Sequence, residues 1–334
     1  MLVTRNFAKC LVQSTINMTA RSYQVSVMGG ASEIGQIISF MLRTEPSVTS
    51  LVVHDMRENT PGIVLDLSHI PVNSRLMGFC GHSTIERALK DSDLVLFVGG
   101  VIKSPTLTNE AWFETNTAFI KNIAARVGKM AQMPFIGIVT EPINVLVPMA
   151  AEIMRCHGAF DPKKLFGITT IDWIRAQTLY ATEHKMPPKT CFVPVIGGHS
   201  EKTIIPLLSH SRPTTNMKDP EIMQFTRKIQ ECDDIVSQAK QGLSSTMSIA
   251  YSVVMFAREI FRALDGQRVK VNAYVENNDF GTSYFSGLVN VDKDGMKSMQ
   301  RFTKISQYEC NLLEKATEQL RKDVARGKKI LEVA

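Results

Sequence analysis

No two of the six cysteines form a C-x-x-C pair: Cys10, Cys80, Cys156, Cys191, Cys232 and Cys310 are scattered over 334 residues. That spacing suggests neither a zinc site nor a disulfide framework, fits a reducing compartment, and leaves no metal to be expected. No apolar run approaches the roughly 18 residues of a membrane span, so no membrane partner is expected. Internal repeats and low-complexity tracts are absent. Acidic residues are also absent before Glu33, whereas Arg5, Lys9 and Arg21 precede it among several Ser, Thr and Asn. On a helix, Arg5 and Lys9 would share one face and Val3, Phe7 and Leu11 another. A basic, acid-free, amphipathic start is the composition of a mitochondrial transit peptide, expected here over residues 1–23 with processing near 17–23. A disordered extension is the alternative. The formal charge of +6 includes this segment, and without its three cations 35 basic residues face 32 acidic ones, or +3. A mildly basic body of this kind gives no case for nucleic acid.

What the chain does have is an ordinary globular balance, 44% hydrophobic and 21% charged residues, enough for a sizeable core. Strand-like segments at 24–28, 51–54, 94–98, 135–139 and 165–168 alternate with helical patterns at 33–43, 110–129 and 143–157. This is the βαβ rhythm of an α/β, doubly wound parallel sheet. After residue 169 the pattern changes. A helix near 171–183 is followed by strand-like 192–196 and 203–208, long helices at about 218–240 and 245–265, strands at 269–275 and 283–290, and a charged last helix at about 307–331. Two lobes, 24–168 and 169–334, are the simplest division.

Residues 29–35 read GGASEIG directly after the first strand. A dinucleotide turn of spacing G-x-x-G-x-x-G needs glycine for the turn, for approach of the pyrophosphate and for helix–strand packing. Gly29 and Gly35 are present, and Ser32 holds the middle position. Its Cβ would crowd a phosphate, or its hydroxyl would donate to one. Glu33, at the helix start, either faces solvent or repels the cofactor. Asp55 ends the second strand, 20 residues after Gly35, where an acid accepts from the ribose and favours NAD over NADP.

Three further stretches, DLSHI at 66–70, FGITTIDWIRAQT at 166–178 and VPVIGGHSEKTIIPLLS at 193–209, together with Asp55 and the glycine turn, resemble NAD-dependent malate dehydrogenases of the mitochondrial type. The similarity runs from about residue 24 to the carboxyl terminus. It implies a Rossmann domain plus an α+β catalytic domain, NAD as cofactor, a small dicarboxylate substrate, a homodimer or a heterodimer with a paralogue, and the mitochondrial matrix. By this resemblance His199 is the acid/base, Asp172 its orienting partner, Arg175 the anchor for the substrate's 1-carboxylate, and Asn116 a residue that contacts NAD. The chemistry agrees. Hydride transfer from an alcohol needs a base for the hydroxyl proton, and imidazole beside a carboxylate titrates in the right range. A guanidinium offers carboxylate a planar fork. Asp172 and Arg175 also lie three apart on one helix, so an intrahelical ion pair is the competing reading.

Other positions depart from the family pattern. The loop GGVIKSPTLTN at 99–109 carries Lys103 and Asn109 where two arginines are typical. Each lost charge-assisted hydrogen bond is worth about 1.5–3 kcal/mol. In VTEPINV at 139–145, Glu141 replaces an asparagine that contacts substrate. At about 5 Å and an effective dielectric of 20, a like-charge pair costs about 3 kcal/mol, unless Glu141 is protonated or turns away. Glu201 replaces a small residue. The segment GLSSTMSIAY at 242–251 reads one residue short, with Ile249 where methionine is common beside the cofactor. The expectation is therefore a malate dehydrogenase of weakened activity. A pseudoenzyme serving as a structural or dimerisation partner, and a 2-hydroxy acid dehydrogenase of altered specificity, are the alternatives.

Overall fold

The computed structural model describes residues 22–103, 107–158 and 160–330. The leader expected over 1–23 lies, up to residue 21, outside the described residues. The first strand, β1, opens at Tyr23.

The amino-terminal lobe is a parallel sheet of β1 (Tyr23–Met28), β2 (Val48–Asp55), β3 (Arg75–Cys80), β4 (Leu94–Phe97), β5 (Phe135–Ile138) and β6 (Leu165–Ile168), in the order β3-β2-β1-β4-β5-β6. Every residue of β4, β5 and β6 is buried. Strands covered by helices on both faces read as unbroken apolar runs, which is why LVLF, FIGI and LFGI do not alternate. The crossovers are α1 (Glu33–Arg43), α2 (Thr60–Ser68), α3 (Ile85–Leu89), α4 (Asn109–Val127) and α5 (Ile143–His157). The strand order reverses between β1 and β4, and a ligand crevice opens at the carboxyl ends of those strands.

The second lobe begins with α6 (Thr170–Glu183) and the short antiparallel pair β7 (Val195–Gly197) and β8 (Ile204–Pro206). Next come α7 (Asp219–Gln230), α8 (Cys232–Ala239) and α9 (Thr246–Leu264). Strands β9 (Val269–Glu276), β10 (Tyr284–Asp292) and β11 (Gly295–Met299) lead into α10 (Gln307–Lys329). β9 pairs antiparallel with β6, Gly167 opposite Tyr274, so one sheet runs through both lobes. The main apolar core likewise continues from Val25 and Ile38 through Leu146 to Val271, Phe285 and Leu320. A smaller cluster of Tyr180, Val193, Ile204, Phe225 and Ile229 sits beneath α6 and α7.

Four elements were not read from the sequence: β3, α2, α3 and β11. β3 is an edge strand with no fully buried residue; α2 follows Asn59 with a proline in its first turn; α3 is only 5 residues long; and β11 is short. The single helix expected over 218–240 is two, because Glu231 (φ −94°, ψ 6°) leaves helical geometry between α7 and α8.

The turn after β1 is set by close approach of two loops. Gly29 has φ +91°, and a Cβ there would lie 2.1 Å from Cα of Gly99 in the loop after β4. Gly29→Ala is expected to cost about 3 kcal/mol through overpacking and backbone strain. Gly62→Ala, in α2 with nothing within 4 Å of the new methyl, should gain about 0.5–1 kcal/mol from helix propensity. Denaturant midpoints of the two variants provide the check.

Candidate active site

Asp172 lies in the first turn of α6, where a carboxylate suits the positive end of the helix. It is 1% exposed. Its Oδ2 receives a hydrogen bond from Nδ1 of His199 at 2.7 Å, and its Oδ1 has no partner among the described residues. His199 follows β7 through Gly197 and Gly198. Gly197 takes φ +106°, and a Cβ on it would meet the Thr203 carbonyl oxygen at 2.0 Å, so the sharp return from β7 to β8 needs glycine there. The backbone N–H of His199 donates to Asn144 Oδ1 at 2.8 Å. Asn144 in turn donates to Thr203 Oγ1 and Asp323 Oδ2, each at 3.2 Å. This brace was not assigned from the sequence, although Asn144 stands in the same VTEPINV stretch as Glu141.

The other ring nitrogen, Nε2, lies 3.6 Å from Glu141 Oε1. Burial alone would lower the His199 pKa. The charge and hydrogen bond of Asp172, then those of Glu141, outweigh it and hold the imidazole well above its ordinary value. Glu141 has therefore not turned away; it stands beside Nε2 of His199.

Arg175 does not pair with Asp172. Its Nη1 donates to Asp233 Oδ2 at 2.8 Å, and its Nη2 donates to Asp233 Oδ1. Burial would raise the Asp233 carboxyl, but the hydrogen bonds and charge of Arg175 hold it below its ordinary value. The intrahelical ion pair weighed from the spacing is replaced by one across helices, from α6 to α8. Asp233 was missed because it lay inside an apparently continuous helix; the acidic pair Asp233-Asp234 was the available signal.

A cavity of about 530 Å³ runs from the glycine crevice to His199. Ser32, Lys103, Asn116, Glu141, His199, Asp233 and Ile249 line it. Lys103 is exposed at its wall, and Glu201 reaches it too. Asn109, the exposed first residue of α4, is not among the lining residues. Glu141, His199 and Asp233 bring one potential ligand atom each within 4.8 Å of one another, but Arg175 already engages both Asp233 oxygens.

At the crevice, the Asp55 carboxylate accepts from Ala31 N (2.9 Å) and Arg57 N (3.1 Å), fixing the glycine turn to the end of β2. The Ser32 hydroxyl caps α1 by accepting from Gly35 N at 3.0 Å, with the Gly29 and Val98 carbonyls at 2.8 and 3.0 Å. It is engaged internally, so the donors offered to an anion are the first amides of α1, at Glu33 and Ile34. A Cβ at Gly35 would meet the Gly29 oxygen at 2.3 Å. The Glu33 side chain is exposed. Asn116 is a loop brace. Its Oδ1 accepts from Val101 N at 2.7 Å, and its Nδ2 donates to the carbonyls of Val101 and Glu141 at 3.0 and 2.8 Å. Bare glycine backbone on both loops, an acid at the end of β2 and a helix start at the crevice fit a dinucleotide.

Residues 23–167 match the lactate/malate dehydrogenase NAD-binding domain family, and residues 169–331 match the lactate/malate dehydrogenase alpha/beta C-terminal domain. The chain is 34% identical over 331 residues to the mitochondrial malate dehydrogenase of Caenorhabditis elegans, covering 96% of this chain and 97% of that protein. Among solved structures, the malate dehydrogenase of Cryptosporidium parvum aligns with a TM-score of 0.79 at 22% identity, over 92% of this chain and 99% of its own. The lactate dehydrogenase of the same organism, solved with lactic acid and nicotinamide adenine dinucleotide, aligns with a TM-score of 0.78 at 17% identity, over 93% and 98%. These two likenesses bear on the fold.

The raised His199 pKa has a definite sign. Its stabilising contribution is fully present below the unfolded value, near the ordinary 6.5, and is lost as pH rises through the higher folded value. In an imidazole NMR titration His199 should remain protonated well above pH 6.5, and Glu141→Gln should shift its transition downward.

Proposed function

The chain belongs to the lactate/malate dehydrogenase family of NAD-dependent oxidoreductases, and on that premise we propose that it interconverts malate and oxaloacetate with weakened activity. The observation that carries the reading is the 2.7 Å Asp172–His199 pair, placed on the cavity that leads to the glycine crevice. The cofactor is NAD. Gly29, Ser32, Gly35, Asp55, Asn116 and Ile249 would shape its site, Ser32 and Asn116 by bracing the loops. When bound, the nicotinamide supplies the hydride acceptor for oxidation and, reduced, the donor for reduction.

In the reducing direction the protonated His199 Nε2 gives its proton to the 2-oxo oxygen as that oxygen gains negative charge, and Asp172 stabilises the imidazolium before transfer. Arg175 would hold the 1-carboxylate and Lys103 the far end as a point charge. Asn109, away from the cavity wall, would contribute only if the loop moved. Glu141 opposes the reaction twice, by competing for Nε2–H and by repelling a dianion. Because His199 is held protonated, reduction is favoured near neutral pH. Oxidation, which needs the neutral base, should gain rate as pH rises past the raised value.

The proposal extends to organisation. Residues 24–168 would form the NAD-binding domain and 169–334 the catalytic domain, in the mitochondrial matrix behind a leader over 1–23. Phe40, Leu65, Met247 and Tyr251 are exposed on α1, α2 and α9, and α1 packs on both other helices. This apolar surface supports a dimer, with itself or with a paralogue.

A second reading, a catalytically impaired structural partner, is favoured by Glu141 at Nε2 and Asp233 on Arg175. NADH oxidation with oxaloacetate separates the two. Wild-type turnover above a His199→Ala control supports the enzyme; rates equal to that control leave the structural role. In the enzyme case Glu141→Asn should raise kcat/KM about tenfold, less than the full Coulomb estimate because the carboxylate is 41% exposed.

A further inference from the structure

Asp233 lines the cavity and Arg175 does not. The Arg175 side chain is 10% exposed and lies behind the carboxylate of Asp233, which is 45% exposed. Both guanidinium nitrogens of the fork meet both Asp233 oxygens. This is the two-point geometry with which an arginine holds a carboxylate ligand. Nearby in the same cavity, Glu141 sits 3.6 Å from His199 Nε2. Two carboxylates of the chain thus stand at the two groups that a 2-oxo carboxylate would use, one at its carboxylate anchor and one at its proton donor.

The helix that carries Asp233 is loosely attached. α8 contains no buried residue, and it is separated from α7 by the break at Glu231. Helices held by an apolar face resist displacement; this one is held at Arg175 chiefly by an ion pair with one partly exposed partner.

We propose that Asp233 is a specificity-determining residue that serves as an internal carboxylate ligand of Arg175, and that a 2-oxo carboxylate binds by exchanging with it. The proposal rests on the reading of Arg175 as the substrate's carboxylate anchor. Exchange replaces one carboxylate by another on the same fork, so the guanidinium stays paired throughout. The released Asp233 faces solvent beside Asp234. Affinity is lowered by competition, while the proton-transfer pair is untouched.

The test measures oxamate binding to the full chain with NADH present, by calorimetry, together with oxaloacetate kinetics, for wild type, Asp233→Asn, Asp233→Ala and Arg175→Gln. Removing the internal ligand should tighten oxamate about ten- to a hundredfold, the span of one charge-assisted hydrogen bond. It should lower the oxaloacetate KM comparably with kcat little changed, and Arg175→Gln should weaken oxamate binding. If both Asp233 variants bind oxamate as wild type does while Arg175→Gln loses it, the exchange is wrong and the anchor stands. If Arg175→Gln also binds as wild type, the anchor reading itself falls. If neither Asp233 variant shows a cooperative melt, the pair is structural and the proposal is overturned.

Discussion

A buried carboxylate, Asp172, sets the terms for everything around it. An ionised carboxylate taken out of water is costly unless a cation and hydrogen bonds compensate. Asp172 has a helix start beneath it and, among the described residues, one side-chain hydrogen-bond partner, His199, with its other oxygen unpartnered. The imidazole must therefore be aimed, and its cationic form is favoured. The aiming is done by backbone: two glycines turn the chain after β7, and Asn144 fixes the His199 amide. The charge is kept by Asp172 and reinforced from outside by Glu141. An asparagine in place of Glu141 would leave the first pairing intact and remove the second, so the departure at this one position alters how the proton is held without dismantling the machinery that holds it.

The arginine half of the site follows the same logic with the opposite sign. Arg175, its side chain largely out of water, is a cation that needs an anion, and Asp233 supplies one from a helix with no buried residue. Burial would lower the arginine's pKa, yet the Asp233 partner raises it above its ordinary value. The site therefore rests with both of its key charges internally compensated. Dicarboxylate recognition needs unmatched positive charge, and of the three positions expected to supply it only Lys103 stands at the cavity without a carboxylate partner among the described residues.

The sequence reveals the fold because its decisive signals are local and apolar. LVLF, FIGI and LFGI are the short unbroken apolar runs that strands covered on both faces give, and α1, α5 and β6 fall where their patterns begin and end. β3 and β11 escape because edge strands need not be apolar, and the break at Glu231 escapes because the residues on either side are all helix-compatible. His199, Asp172 and Arg175 were equally legible as candidates, since they lie in distinctive segments. Their partners were not. Spacing predicts Arg175 near Asp172, but the ion pair that forms crosses 58 residues to Asp233. Ser32 and Asn116, read as cofactor contacts, use their polar atoms on the backbone of neighbouring loops. Which neighbour satisfies a polar group depends on the packing of elements distant in sequence.

The antiparallel pairing of β6 with β9 carries a consequence for how the protein can move. A hinge between lobes would have to shear that ladder and divide a core that passes beneath it without interruption. The nucleotide half and the half bearing His199 thus share one mechanical frame, and heat should melt them together as one cooperative block. Entry to the cavity is left to groups on its wall that stand outside that ladder: the Lys103 side chain, the carboxylate at 141, and the short helix that presents Asp233.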